Sequence, residues 1–243
     1  METATTPPEP WVQGRFAGIG SSGGRTLFPD AVAPSPAASN ATPLPMTDPR
    51  NALRQQLRQT RRNIPPQQRI AAAESLAGRL LALPFLPGRG HVAGYWAMDG
   101  EIALHVFQLR LPPGLVYCLP VLDTSDGESR LGFAPWRSGD PLVSNRYGIP
   151  EPDVEPSSLL GPEDMDLVVM PLVGFDPAGN RLGMGAGWYD RSFAFRRTRP
   201  GPPWLVGAAF SRQQVAALAR QDWDVPLDAV CTELETHIPD GNE

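Results

Sequence analysis

The run from Asn180 to Arg191 reads Asn-Arg-Leu-Gly-Met-Gly-Ala-Gly-Trp-Tyr-Asp-Arg and places glycine at every second position, Gly183, Gly185 and Gly187. Glycines in that pattern contribute no packing surface. They leave bare amide N–H groups and a backbone free to wrap around a ligand. An apolar segment, Asp166–Phe175, precedes the loop, and a helix-compatible one, Tyr189–Phe195, follows. Strand, glycine loop and helix start is an arrangement that gathers an anion at a helix N-terminus. Trp188 and Tyr189 add aromatic faces and Asp190 adds an acid, so the run reads as a nucleotide-phosphate site with a metal ligand attached. It lacks the Gly-Lys-Ser/Thr of a P-loop and the spacing of the dinucleotide fingerprint. A glycine-rich packing turn is the competing account, but a turn needs one or two glycines.

Other residue types fit around such a site. Asp190 can ligate Mg²⁺ held on phosphates, or it can simply stabilise a helix N-terminus. Arg50, Arg54 and Arg58 recur at helical spacing and can grip an anion with a guanidinium fork, or form a solvated helix face. Glu101 follows the turn signal Met98-Asp99-Gly100 at the end of a strand, where α/β proteins bind ligands; a surface glutamate at a helix start is the plainer reading. Trp96, Tyr147 and Trp188 can stack on a flat heterocycle, or belong to a core. His91, His105 and His237 have no triad or metal spacing, and no Gly-x-Ser-x-Gly elbow is present.

These groups need a scaffold, and its pattern is alternating. A helix capped by Asp48 or Asn51 runs to about Asn63, with Leu53 and Leu57 on one side and Arg54, Arg58 and Arg61 or Arg62 on another. A second starts at Pro65-Pro66, carries the stripe Ile70, Ala73, Ala77, Leu80 and Leu81, and ends at Pro84. Strands are expected at His91–Trp96, Leu115–Val121, Leu131–Trp136, Asp166–Val173, Trp204–Phe210 and Ala229–Glu233. Helices are expected over Ile102–Arg110, from the glycine loop to about Arg197, and over Arg212–Arg220 with Ser211 and Gln214 as a capping box. Prolines exclude regular structure from Tyr147–Pro152. The order predicts an α/β fold, three-layer α/β/α with a largely parallel central sheet, spanning residues 46–237 as a single domain.

Residues 1–45 differ, holding eight Pro but only five Val, Ile or Leu. Such a segment is expected to be a disordered tail, with Met46 as the true start. A short C-terminal tail, 238–243, is expected at the other end. The net charge of −5 gives no prior for nucleic acid or anionic membranes, and no apolar run approaches the roughly 18 residues of a membrane span. Eight Arg in residues 46–90 and seven acids in 211–243 would suit an anionic ligand and a divalent cation, though solvated faces also explain them. There is no Lys; all 21 basic residues are Arg. Cys118 and Cys231 sit in separate strand-like runs and read as reduced thiols, and no secretory signal is visible, which predicts a cytoplasmic protein.

The chain resembles the 5-formyltetrahydrofolate cyclo-ligase family, also called methenyltetrahydrofolate synthetase, collinearly from about Arg50 to Glu233. The resemblance rests on Arg50-x-x-x-Arg54, on Tyr95-Trp-Ala-Met-Asp-Gly-Glu101-Ile, on Tyr147-Gly-Ile-Pro-Glu-Pro152, and on Asp166-Leu-Val-Val-Met-Pro with Phe175-Asp through Arg191. It implies an ATP- and Mg²⁺-dependent ring closure of 5-formyltetrahydrofolate to 5,10-methenyltetrahydrofolate through a phosphorylated formyl group. By position it implies Arg50, Arg54, Arg181, Leu182, Gly183, Met184, Gly185, Ala186, Gly187, Trp188 and Tyr189 as ATP residues. Trp96, Glu101, Tyr147, Met184 and Trp188 would contact folate. Asp190 and Asp224 would hold Mg²⁺, with Asp222 and Asp228 as near competitors of Asp224. Arg54, Glu101 and Asp190 would carry the catalytic load. Arg50 stands where the family commonly has Lys, Met184 and Ala186 where some members have basic residues, and Trp188 where Tyr or Phe is usual. A monomer acting on folate and ATP, without nucleic acid or membrane, is the expectation. A non-catalytic folate- or nucleotide-binding regulator and an RNA-binding accessory protein are the rivals.

Overall fold

The computed structural model describes residues 48–124 and 129–239. The expected N-terminal tail and the choice of Met46 as start lie outside the described residues, as does most of the C-terminal tail. Helices α1 (Pro49–Arg62) and α2 (Pro66–Leu81) come first, then β1 (Gly90–Ala93), α3 (His105–Leu109), β2 (Leu115–Asp123) and β3 (Arg130–Pro135). Next are β4 (Leu142–Ser144), β5 (Pro150–Pro152), β6 (Leu167–Pro171), β7 (Gly174–Phe175), β8 (Arg181–Leu182) and α4 (Trp188–Ser192). The chain continues through β9 (Trp204–Ala208), β10 (Ala229–Cys231) and β11 (Thr236–His237).

Seven strands form one sheet in the order β11-β10-β9-β6-β1-β2-β3. The five inner strands run parallel, and β3 and β11 close the edges antiparallel. Strand side chains alternate between two cores, as pleating requires. Val92, Tyr117, Leu119, Leu167, Val169 and Val206 pack with Leu76, Leu80 and Phe107 of α2 and α3. Ala93, Cys118, Val168, Met170, Leu205 and Val230 face the other way, onto Trp188, Phe193, Val225 and Leu227. The predicted mixed fold with a largely parallel sheet is therefore what the chain adopts, although its second face is covered by a short helix, 3₁₀ turns and loop rather than by long helices.

The connection from β1 to β2 crosses one face through α3, and that from β6 to β9 crosses the opposite face through α4. The sheet thus changes direction between β1 and β6, and the crevice outside their C-terminal ends is where an open α/β sheet takes a ligand. Helix α1 lies at that end rather than in a layer. Leu53 and Leu57 pack on Val173 and Leu182, next to the β7–β8 hairpin.

Several local expectations fail, each for a physical reason. No helix covers Arg212–Arg220; only a 3₁₀ turn, Ser211–Gln213, forms there. Its amides are taken by distant acceptors: Val215 N–H donates to Phe175 O and Leu218 N–H to Asp176 Oδ2. Ser211 does not cap with Gln214 but bonds Glu233, and Gln213 supplies the acceptor for Phe210 N–H. The helix after the glycine loop stops at Ser192 and tightens to a 3₁₀ turn, Ala194–Arg197. In α2, Ile70 is exposed at the margin of the buried arc, and Ala72 and Leu76 take its place. Pro150–Pro152 pairs with Leu142–Ser144 after all. This isolated two-stranded ribbon tolerates prolines, as edge strands do.

Candidate active site

Strand β1 ends at Ala93, so Trp96 to Glu101 lie beyond its C-terminus. Asp99 (φ 49°) and Gly100 (φ 76°) are both left-handed, and Glu101 N–H donates to Met98 O, which closes a tight reversal. An Asp-Gly pair is the chemistry that such a turn demands. The turn folds the Glu101 carboxylate back onto its own loop, where Oε2 accepts from Met98 N–H at 3.0 Å.

Helix α1 brings a row of guanidinium groups across this end of the sheet. Arg50 reaches Asp224 at 3.3 Å, Arg54 Nε donates to Gly183 O at 3.0 Å, and Arg58 Nε donates to Asp99 at 2.7 Å. One turn further, Arg61 is fully buried and donates to Asp99 O, to the Asp99 carboxylate, to Glu101 Oε1 and to Leu172 O. Arg62 adds a short contact to Asp99. The row is therefore anchored in protein, not solvated. Burial alone would raise the Asp99 carboxyl, but hydrogen bonds from Arg58 and Arg62 and the charge of Arg61 hold it below its usual value. At Glu101 burial prevails and its carboxyl is raised, against the opposing pull of the Met98 amide and Arg61.

The glycine loop leaves β8 at Leu182 and enters α4 at Trp188. Gly185 (φ 96°) and Gly187 (φ 69°) occupy left-handed conformations, and Gly185 lies against the Arg54 guanidinium. Gly183 has no such φ, and a methyl group there would meet nothing within 4 Å. A Gly183→Ala change should leave thermal stability within about 0.5 kcal/mol. Gly185→Ala should cost about 1–2 kcal/mol, since an L-residue is strained at that φ; differential scanning calorimetry of the pair checks this. Because α4 is only five residues long, its dipole is a minor attraction for phosphate. A phosphate bound here would depend mostly on loop amides and the α1 arginines.

Asp190 and Asp224 approach each other through one peptide: Asp190 Oδ1 accepts from Val225 N–H at 3.2 Å. Arg181, largely buried beneath the loop, makes a short ion pair with Asp190 and donates to Val225 O. Asp190 Oδ2 and Asp224 Oδ1 make no hydrogen bond among the described residues. One remaining oxygen on each carboxylate, with no cluster of three acidic, His or Cys ligands among the described residues, would suit Mg²⁺ shared with phosphates better than an all-protein cage. Asp228 is withdrawn from that role, since Arg196 grips both its oxygens in a buried pair at 2.7 and 2.8 Å. Asp222 is exposed.

Of the aromatic candidates, Tyr147 meets Trp188 edge to face at 6.4 Å, with Arg146 over both rings and Arg191 over Trp188. The Trp188 indole N–H is buried and makes no well-formed hydrogen bond among the described residues, although it lies close enough to the exposed Tyr147 hydroxyl to hold that phenol below its usual value. Trp96 stands edge to face with Trp136 at 5.7 Å. Met184 is exposed on the loop, Leu182 is wholly core and offers only its backbone, and Tyr189 is close enough to Glu101 for that charge to add to the effect of burial in raising its phenol. The structure thus groups Arg50, Arg54, Asp190 and Asp224 around the loop and Glu101 beside Tyr189. Arg61 and Asp99 as interior anchors, and Arg181 as a buried counter-ion, were not foreseen. The Arg61-Arg62 doublet ending an amphipathic helix was the one available signal.

Comparison with known proteins gives the family. The sequence pattern of the 5-formyltetrahydrofolate cyclo-ligase family matches residues 46–233. The chain is 34% identical over 183 residues to the 5-formyltetrahydrofolate cyclo-ligase of Haemophilus influenzae, covering 74% of this chain and 96% of that one. To the Escherichia coli K12 enzyme of the same name it is 35% identical over 181 residues, covering 72% and 96%. The solution structure of Aquifex aeolicus 5,10-methenyltetrahydrofolate synthetase superposes with a TM-score of 0.66 at 28% identity, covering 80% of this chain and 94% of that one. The chain belongs to the 5-formyltetrahydrofolate cyclo-ligase family.

Proposed function

We propose that this enzyme closes 5-formyltetrahydrofolate to 5,10-methenyltetrahydrofolate with consumption of MgATP. The observation that carries the reading is convergence: one helix, α1, places Arg54 on the glycine loop and, two turns later, Arg61 on Glu101. The groups we read as phosphate-binding and pterin-binding are thereby tied to one helix at the C-terminal end of the sheet. The formyl oxygen attacks the γ-phosphorus and ADP departs. N10 then adds to the formyl carbon and loses its proton, and inorganic phosphate leaves with the former formyl oxygen. The protein's part is to align oxygen with phosphorus and to offset developing charge.

In this reading the Gly183–Gly187 amides, Arg50 and Arg54 hold the phosphates, and Arg181 orients Asp190 from below. Mg²⁺ on Asp190 and Asp224 would neutralise phosphate charge. Glu101 accepts pterin N–H groups, and Trp96, Tyr147, Met184 and Trp188 supply surface for the folate rings. We place the enzyme in the cytoplasm as a monomer; no helix among the described residues is long and apolar enough to cross a membrane. Purified protein given MgATP and 5-formyltetrahydrofolate should develop the near-ultraviolet absorbance of the methenyl product, stoichiometric with ADP. Absence of ATP-dependent signal refutes the activity, and ATP that binds but is not consumed when folate is added would favour a regulator.

A further inference from the structure

We propose that Arg61 is a positioning residue for folate recognition, which holds the Glu101 carboxylate as an anion beyond the C-terminal end of β1 and ties it to the helix that carries Arg50 and Arg54. This rests on the reading of Glu101 as the acceptor of pterin N–H groups. Arg61 is the largest of the fully buried side chains, and a buried guanidinium is costly unless its donors are met. Here they are met by Asp99 O and Oδ2 at 3.1 and 2.9 Å, and by Glu101 Oε1 and Leu172 O at 3.4 Å each. These acceptors come from the loop after β1 and the end of β6, the two sides of the switch point. An apolar residue would fill the volume at less cost, so what the arginine adds is charge and direction at Glu101.

The other groups facing Glu101 are few. Arg58 lies on α1, Asp99 on its own turn, and Tyr95 and Tyr189 pack from the end of β1 and from α4. Burial raises the Glu101 carboxyl, Arg61 and Arg58 counter it, and Asp99 adds to the rise. A group with a raised pKa is ionised only above that value, so folate affinity should fall as pH drops through it. Removing Arg61 must move this acid limb up. Removing the Asp99 charge must move it down, because the opposing carboxylate is gone and Arg61 is left more fully to Glu101. Asn at 99 tolerates the left-handed turn.

The test is equilibrium binding of 5-formyltetrahydrofolate by calorimetry, from about pH 5.5 to about pH 8.5. Mg²⁺ and a saturating non-hydrolysable ATP analogue are present throughout. Arg61→Gln should shift the acid limb upward by about one unit, Arg61→Lys should restore it toward the wild type despite a lower Tm, and Asp99→Asn should shift it downward. A purely structural role would weaken binding without moving the limb. Should Arg61→Gln fail to fold, the Lys and Asp99→Asn proteins decide the matter. Unmoved limbs in these variants, with the limb abolished in Glu101→Gln, would overturn the role of Arg61 and leave Glu101 intact. A limb that survives in Glu101→Gln would instead overturn the folate assignment of Glu101 itself, and this inference with it.

Discussion

Asp190→Asn is expected to lower kcat by about 10²-fold or more and to raise the Mg²⁺ concentration needed for half-maximal rate, because Asp190, as the metal ligand proposed above, would act at the transferring phosphoryl group where charge develops. The structure adds a second consequence. Asp190 is also the counter-ion of Arg181, whose burial lowers the guanidinium pKa while Asp190 opposes the fall. Breaking a fully buried pair costs about 3–5 kcal/mol. The Asp190 side chain is 24% exposed, so a loss of about 1–3 kcal/mol is expected here, seen as a lower Tm. Activity and stability therefore fall together in the single variant, and that coincidence alone decides nothing.

A second substitution separates them. In Arg181→Met/Asp190→Asn the orphaned guanidinium is gone, and the Tm should recover most of its loss while turnover stays low. Arg181→Met alone should retain turnover within about tenfold, since it leaves the carboxylate in place. Recovery of both properties in the double variant would reduce Asp190 to a counter-ion and remove it from the metal site. Helix stabilisation, the plain alternative visible in the sequence, cannot carry a large effect. A five-residue helix gains only about 0.3–1 kcal/mol from an acid in its first turn.

That shift in the alternatives shows what the sequence could and could not convey. Continuous apolar runs such as Leu167–Pro171 specify buried parallel strands, and the sheet follows. The glycine loop and the Arg50/Arg54 spacing are equally legible, because both are local patterns. What fails is whatever depends on distant partners. Residues 212–220 look helical until Asp176 and the Phe175 carbonyl, far away in the chain, take their amides. Arg61 and Arg62 look alike in sequence, yet one is fully buried and the other half exposed. Helical spacing assigns a face, but only the turn at Asp99-Gly100 decides what that face meets. Asp228 likewise stays a near competitor of Asp224 in the sequence, and only the buried pair with Arg196 sets it apart.

The charge missing from the glycine loop leads to the other large effect. Met184 and Ala186 bring no cation to the proposed phosphate site, and Arg54 stands over the loop there, with its Nε on Gly183 O and its guanidinium against Gly185. Arg54→Gln is expected to raise the ATP Kd about 10- to 100-fold, the loss of one charge-assisted contact of about 1.5–3 kcal/mol. The Tm should change little, because Arg54 contributes to the fold one backbone hydrogen bond, one exposed bond to Asn51 of its own helix and a weak pair with Asp48 at 4.0 Å. If the loop's lost charge is what Arg54 replaces, restoring it should compensate: Arg54→Gln/Ala186→Lys should recover at least part of the affinity. Ala186→Lys alone should tighten ATP only modestly. The Ala186 carbonyl is already fixed by Arg191 at 2.9 Å, so the new ammonium would extend from a backbone that does not need to move. ATP affinity unchanged in Arg54→Gln would remove this arginine from the nucleotide site. Affinity lost in Arg54→Gln and not recovered in the double variant would mean that its fork geometry, rather than its charge, is what the loop requires.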